Sequence, residues 1–310
     1  MSILIGTDFK NLGIKRAGKV RDAYEQKDKI IFITTDRHSS FDRIIAHVPH
    51  KGAVLNLISA FWFNETKDIL PNHVIAVPDP NVTVAKKCAT VPIEGVVRGH
   101  LTGATDTAIW TRYANGERAF GGTILPDGMK KNQKLPEPLF DPTTKESTHD
   151  RTLSKDDLIQ EGFVTEEKFE EVKEKALELF KRGQEVAATR GLMLVDTKYE
   201  FGTDKNGTLM LIDEIHTPDS SRYWMLGSYE ERVARGEEPE YFDKEFLRLW
   251  FKQHSDPYKD TVLPEAPKEM VEELSRRYIG IYEQLTERAF VREEGDIISR
   301  IEKNITPYRI

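Results

Sequence analysis

The sequence predicts a mixed α+β protein, and three observations carry that expectation. Short runs rich in β-branched and aromatic residues fill the first hundred positions and return at 192–214; one long amphipathic pattern covers 165–190; and the chain beyond Gly236 is charged and helical in character. At 310 residues the chain is long enough for two or so structural units with substantial cores.

The elements follow in order. Residues 19–24 and 29–35 (KIIFITT) have strand composition, and the polar stretch 25–28 between them makes a hairpin the simple reading. From 53 to 67, Val54, Leu55, Ile58, Phe61 and Trp62 recur at helical spacing, with Asn56, Ser59, Glu65 and Lys67 as the expected polar face. Strands are expected at 82–87 and 93–98, then a helix near 105–113 that Asn115-Gly116 ends. The proline-punctuated stretch 135–150 reads as a loop, and loops of that length are usually functional or mobile. Ser154 with Asp157 resembles a capping box. The helix over 165–190 has the stripe Phe169, Val172, Ala176, Leu179, Phe180, Gly183 and Ala187, and Gly191 closes it. Helices are expected at 244–254 and 268–290, with three prolines between them. The resulting division is a β-rich unit over 1–115, an α+β unit over 116–235 and a helical appendage over 236–310.

Composition removes several function classes. Lys+Arg number 45 against Asp+Glu 52, and a net charge of -7 argues against binding nucleic acid or anionic lipid as the main task. A single cysteine, Cys88, allows no internal disulfide and no zinc cluster, which favours a reducing, cytoplasmic setting. No window approaches the ~18 apolar residues of a membrane span. The oligomeric state is left open, a monomer included.

The segment 192–214 is the most informative. Period-two alternation puts Asp196, Lys198 and Glu200 on one face, opposite Met193, Val195, Thr197, Tyr199 and Phe201. If Asn206-Gly207 forms a two-residue turn, Glu200 faces Asp213. Two facing carboxylates repel unless a cation lies between them, and Mg2+ with nucleotide phosphates would resolve the conflict. A solvated face neutralised by Lys198 fits the alternation as well. Elsewhere Gly18, Lys19 and Arg21 open a strand with two basic side chains on one face, and Arg98 and Arg222 stand near turns where a guanidinium can grip phosphate. Taken singly, each also fits an ordinary surface strand or ion pair. Walker, metalloprotease and nucleophile-elbow motifs are absent.

Five blocks in order, GKVRD (18–22), TTDRHSSFD (34–42), VVRGHLTG (96–103), LVDTKYEFG (194–202) and IDEIHTPDSSRYW (212–224), resemble the phosphoribosylaminoimidazole-succinocarboxamide synthase family. The resemblance spans about 15–240. It implies an N-terminal part similar to the small lobe of protein kinases, an α+β unit similar to ATP-grasp ligases, and ATP and Mg2+ in the cleft between them. It further implies joining of L-aspartate to carboxyaminoimidazole ribonucleotide. By the same resemblance, Gly18, Lys19, Arg21 and Lys198 would meet ATP, and Glu200 and Asp213 would ligate the metal; Lys19, Lys198, Glu200 and Asp213 form the catalytic set. Arg98, Thr102, Ser221 and Arg222 would hold the imidazole nucleotide, with Asp36, Arg37, Ser39, Asp42, Lys51 and Gly52 as a further substrate wall. Lys145, His149 and Asp150 would belong to a closing loop. The chain departs from many relatives at Gly103-Ala104-Thr105, where they carry Gly-Ser, which leaves Thr102 or Thr105 as the replacement donor.

Overall fold

Two antiparallel sheets, each packed against a helix, organise the chain. The computed structural model describes residues 3–41, 43–105, 108–145, 151–242, 245–292 and 294–310. Strands β1 (Ile14–Ala17), β2 (Arg21–Glu25) and β3 (Lys29–Thr34) form a meander, and β4 (Arg37–Ser40) pairs with β5 (Arg43–His47) as a separate hairpin. Helix α1 (Lys51–Glu65) follows, and then β6 (Val74–Asp79) and β7 (Val82–Lys86) complete a sheet of order β1-β2-β3-β7-β6. The β2–β3 hairpin is the one the sequence predicts. Lys19, however, lies outside β2: Gly18 N donates to Arg21 O at 2.8 Å, so Lys19 and Val20 form the tight turn between β1 and β2.

Helix α1 differs from its expected amphipathic form. Asn56 and Ser59 are buried, because Asn56 accepts from Thr83 Oγ1 at 2.7 Å and Ser59 Oγ accepts from Ile215 N at 3.2 Å. Polar residues with buried partners satisfy themselves inside the fold rather than in water.

The second sheet grows around β8 (Ala89–His100). After α2 (Ile109–Ala114) and the small hairpin β9 (Ala119–Phe120) and β10 (Thr123–Ile124) come β11 (Lys134–Phe140) and β12 (Thr143–Thr144). The first half of the expected 135–150 loop is therefore strand paired to β8; His149 and Asp150 lie outside the described residues. Helix α3 (Lys155–Gln160) starts with the capping box, Ser154 Oγ accepting from Asp157 N at 3.1 Å. Helix α4 (Glu166–Thr189) buries all seven residues of its predicted stripe against the sheet. Then β13 (Leu192–Thr203), β14 (Leu209–Ile212) and β15 (Ser221–Met225) give the order β11-β8-β13-β14, with β15 also on β13.

Two details of β13 differ from expectation. Its pairing with β15 shifts between Leu194 and Asp196. Leu192 and Leu194 join Tyr199 and Phe201 in the main core, while Val195 packs on the other side with Trp224 and Tyr229. One extra residue reverses the alternation, as bulges do. The β13–β14 register is also one residue off the predicted one: Glu200 pairs with Ile212 and Phe201 with Leu211. Asp204 Oδ1 accepts from Asn206 N at 2.8 Å and from Thr208 N at 3.0 Å, so 204–208 is a five-residue loop rather than a two-residue turn.

Helix α5 (Leu226–Ala234) follows β15, then α6 (Glu245–His254), α7 (Lys268–Thr286) and α8 (Ile297–Ile305). Helix α7 lies along α1, and α8 reaches back to β6, where Arg300 pairs with Asp79 at 2.9 Å. Ile301 and Ile305 enter the core beneath the first sheet, beside Leu4, Leu12, Tyr24 and Ile33.

Candidate active site

The edge where the two sheets meet gathers three cations and four carboxylates. From the first sheet, Arg21 makes a two-pronged pair with Asp213, both bonds 2.9 Å, and touches Glu214 at 3.2 Å. Asp213 does not face Glu200 across the hairpin; it stands just past β14 with φ of 67°, a left-handed conformation that Asp tolerates. The residue opposite Glu200 is Glu94, on β8. Lys198 resolves that carboxylate pair, with Nζ 2.6 Å from Glu94 and 3.6 Å from Glu200, while Lys145 contacts Glu200.

The titration of these groups follows from burial and neighbours. Burial pulls the Lys198 ammonium down, but Glu94, Asp213 and Glu214 outweigh it and hold it above its ordinary value. Burial pushes the Asp213 carboxyl up, yet Arg21, Lys198 and Lys145 hold it low. Lys145 goes the other way: burial lowers it despite Asp213 and Glu94. Glu200 and Asp213 thus belong to one charge cluster, although not by the predicted register. Among the described residues no group of three or more acids, histidines or cysteines converges into a metal cage. The hard oxygen donors present nonetheless suit Mg2+, which commonly takes only one or two protein carboxylates. Gly18 and Lys19 form the exposed turn two residues from Arg21.

A second group lies further along the same face of β13. Asp196 is flanked in register by Arg98 on β8 and Arg222 on β15, and it accepts from Arg222. Asp141, wholly buried, accepts from Arg98 Nε at 2.8 Å and from Arg112 Nη1 at 3.2 Å. Arg222 opens onto a cavity of about 190 Å³ whose wall includes Thr102, Gly103 and Ala104. Thr102 does not offer a proton there, because its hydroxyl donates to Asn132 Oδ1 at 2.7 Å. Ser221 Oγ shares a 2.7 Å hydrogen bond with Thr197 Oγ1 on the opposite, core-facing side of β13.

The expected wall around 36–52 is mostly internal scaffolding. Arg37 donates to Lys19 O at 3.1 Å, Ile5 O at 2.8 Å, Gly18 O at 3.0 Å and Asp22 Oδ1 at 2.8 Å, which clasps the Gly18–Lys19 turn. Asp36 accepts from Leu4 N at 2.8 Å and Gly52 N at 2.9 Å, and burial raises its carboxyl in spite of those donors. Gly52 is required for close approach, since a Cβ there would strike the Thr34 carbonyl. Lys51 is wholly buried and reaches Asp219 at 2.6 Å, which also accepts from Tyr278 of α7 at 2.6 Å. Ser39 is half-buried on β4, and Asp42 lies outside the described residues. His216 is a packed core residue, its Nε2 2.5 Å from the Tyr199 hydroxyl, and burial pulls its imidazole down to about 3. Glu94 and Asp141 are the participants that motif reading missed.

Fold and site together define a class: mixed α+β proteins in which basic groups and carboxylates from two sheets converge at one edge. The SAICAR synthetase family model matches residues 15–265, and the chain belongs to that family. A phosphoribosylaminoimidazole-succinocarboxamide synthase of Legionella pneumophila (strain Paris) is 55% identical over 295 residues, covering 94% of this chain and 95% of its own length. A SAICAR-synthase from Saccharomyces cerevisiae, solved complexed with SAICAR, aligns with a TM-score of 0.80 at 30% identity over 93% of this chain and 100% of that one. A SAICAR synthetase solved in complex with ADP has a TM-score of 0.69 at 25% identity, over 90% and 100% of the two chains. The motif resemblance and the α+β fold class are both borne out. No helix among the described residues is long and apolar enough to cross a membrane.

Proposed function

We propose that this chain joins L-aspartate to the carboxylate of 5-amino-4-carboxyimidazole ribonucleotide at the expense of ATP, yielding SAICAR, ADP and phosphate for purine biosynthesis in the cytoplasm. The observation that carries the reading is that one face of β13 bears both charged groups. Asp196, between Arg98 and Arg222, and Glu200, beside Glu94 and Lys198, stand four residues apart on a regular stretch of strand. At ~3.4 Å per residue that is about 14 Å, enough for one nucleotide to rest its phosphate at one end and present its carboxylate at the other.

The chemistry then follows. A carboxylate oxygen of the nucleotide attacks the γ-phosphorus of ATP, and ADP leaves, giving an acyl phosphate. The amino group of aspartate attacks the acyl carbon, phosphate departs, and the nitrogen loses a proton. Arg21, Lys198 and the Gly18–Lys19 turn stabilise charge on the transferred phosphoryl group, where fixed donors in a dry site act most strongly. Arg98 and Arg222 hold the nucleotide's own phosphate, with Asp141 and Asp196 fixing the planes of the two guanidiniums. Glu200 and Asp213 would hold Mg2+, which neutralises phosphate charge.

Phosphate release by the purified protein with ATP, Mg2+ and the carboxylated ribonucleotide, with and without L-aspartate, tests the reading. Release requiring both substrates, with the succinocarboxamide found by mass, is expected. Absence of release with that pair while ATP still binds would overturn it.

A further inference from the structure

The cavity beside Arg222 holds a second cation that no motif marks. Its wall combines Thr102, Gly103, Ala104, Lys131, Arg222 and Glu238. A phosphate monoester brings up to two negative charges, while Arg222 is already engaged by Asp196 and Arg98 by the buried Asp141, so the two arginines leave the pocket short of positive charge. The neutral donors do not make up the difference. Ala104 has none. The Asn132 amide is oriented unambiguously, because its Nδ2 donates to Glu238 Oε2 at 2.9 Å, and its Oδ1 therefore takes the one proton of the Thr102 hydroxyl.

Lys131 remains. Its Nζ pairs with Glu238 Oε1 at 2.5 Å, and both side chains are partly exposed. Resting on the ligase reading above, we infer that Lys131 is a phosphate-binding residue for the imidazole nucleotide, parked on Glu238 until the phosphate arrives. Glu238 is the placeholder: it keeps the ammonium at the cavity wall and surrenders it to a dianion, which competes better than a monoanionic, half-solvated carboxylate. Asn132 stays on Glu238 throughout and keeps that carboxylate from turning into the pocket. The lysine has flexible reach and three donors, which suits a contact that exchanges partners.

Lys131→Met, Lys131→Arg and Glu238→Gln, assayed with the full substrate set, test this. Lys131→Met should raise KM for the ribonucleotide about tenfold, the order expected for one charge-assisted contact, and leave kcat and the KM values for ATP and L-aspartate within about twofold. Lys131→Arg should restore most of the affinity, and Glu238→Gln should lower KM for the ribonucleotide. Ribose 5-phosphate binding, measured by calorimetry, should weaken in Lys131→Met by the same factor, while ribose shows no difference. A KM for the ribonucleotide within twofold of wild type, or an equal rise in KM for ATP, would overturn the assignment. Should the wild-type protein bind ribose 5-phosphate through Lys131 yet release no phosphate from ATP, the ligase reading falls and the phosphate site stands.

Discussion

Asp213→Asn separates the chemistry of the cleft from the stability of the fold. Asp213 has a φ of 67°, and Asn adopts that left-handed conformation as readily as Asp, so the backbone has no cause to move. The amide keeps the volume of the carboxylate and one acceptor for Arg21, but it ends a two-pronged ionic pair whose bonds are both 2.9 Å. Arg21 retains Glu214 at 3.2 Å. Losing the charge-assisted part of the pair costs about 1–2 kcal/mol, or roughly 2–6 °C in Tm for a chain of this size. In the proposed role as a metal ligand, losing this charge should cost much more in rate, about 10²–10³ in kcat. The two magnitudes are read on one preparation, by a circular-dichroism melt and by steady-state phosphate release at saturating substrates. A variant that melts as expected yet keeps more than about a tenth of wild-type kcat would refute a role for Asp213 in the chemistry. A Tm fall beyond about 10 °C would refute the isosteric argument.

Three further outcomes follow from the same geometry. Arg37→Met strips four acceptors and leaves the buried Asp22 without its arginine; it should cost about 3–5 kcal/mol in urea unfolding and raise KM for ATP, and an unchanged midpoint would remove the clasp. Glu94→Gln deprives Lys198 of its 2.6 Å partner; kcat should fall at least about tenfold with ribose 5-phosphate binding intact, whereas full activity would leave Glu94 a bystander. Finally, burial holds His73 and His100 at about 4 and His216 at about 3, against an ordinary imidazole value of 6.5. The unfolded chain binds the extra protons, so stability is full above about pH 6.5 and declines as pH falls towards 4. The loss should be about 2 kcal/mol per histidine by pH 5, and a flat urea midpoint between about pH 7 and 5 would contradict it.

What the amino-acid pattern disclosed was local. The seven-residue stripe of α4, the Ser154–Asp157 capping box of α3 and the β2–β3 hairpin were legible because each is decided within a few residues. The β13–β14 register was not, because the Asp204 side chain, rather than the Asn206-Gly207 pair, sets the loop. Nor could alternation anticipate the bulge near Val195, which only the pairing with β15 reveals. Glu94 escaped for a related reason: its meaning comes from lying opposite Glu200, and strand adjacency is a tertiary fact. Arg37 and Asp36, read as part of a substrate wall, carry internal hydrogen bonds, and a charged motif residue reads the same whether it meets a ligand or internal backbone groups.

Helix α8 has a consequence for how the molecule is made. The strands of the first sheet precede all those of the second in the chain, but their core lacks Ile301 and Ile305 until α8 has been made. Arg300 must also arrive before Asp79, which is fully buried, gains its ionic partner. Vectorial synthesis therefore leaves the β1–β7 sheet waiting, half-built, for α8, which emerges after every strand of both sheets and after α7, whose Leu274, Tyr278 and Ile281 complete the core of the second.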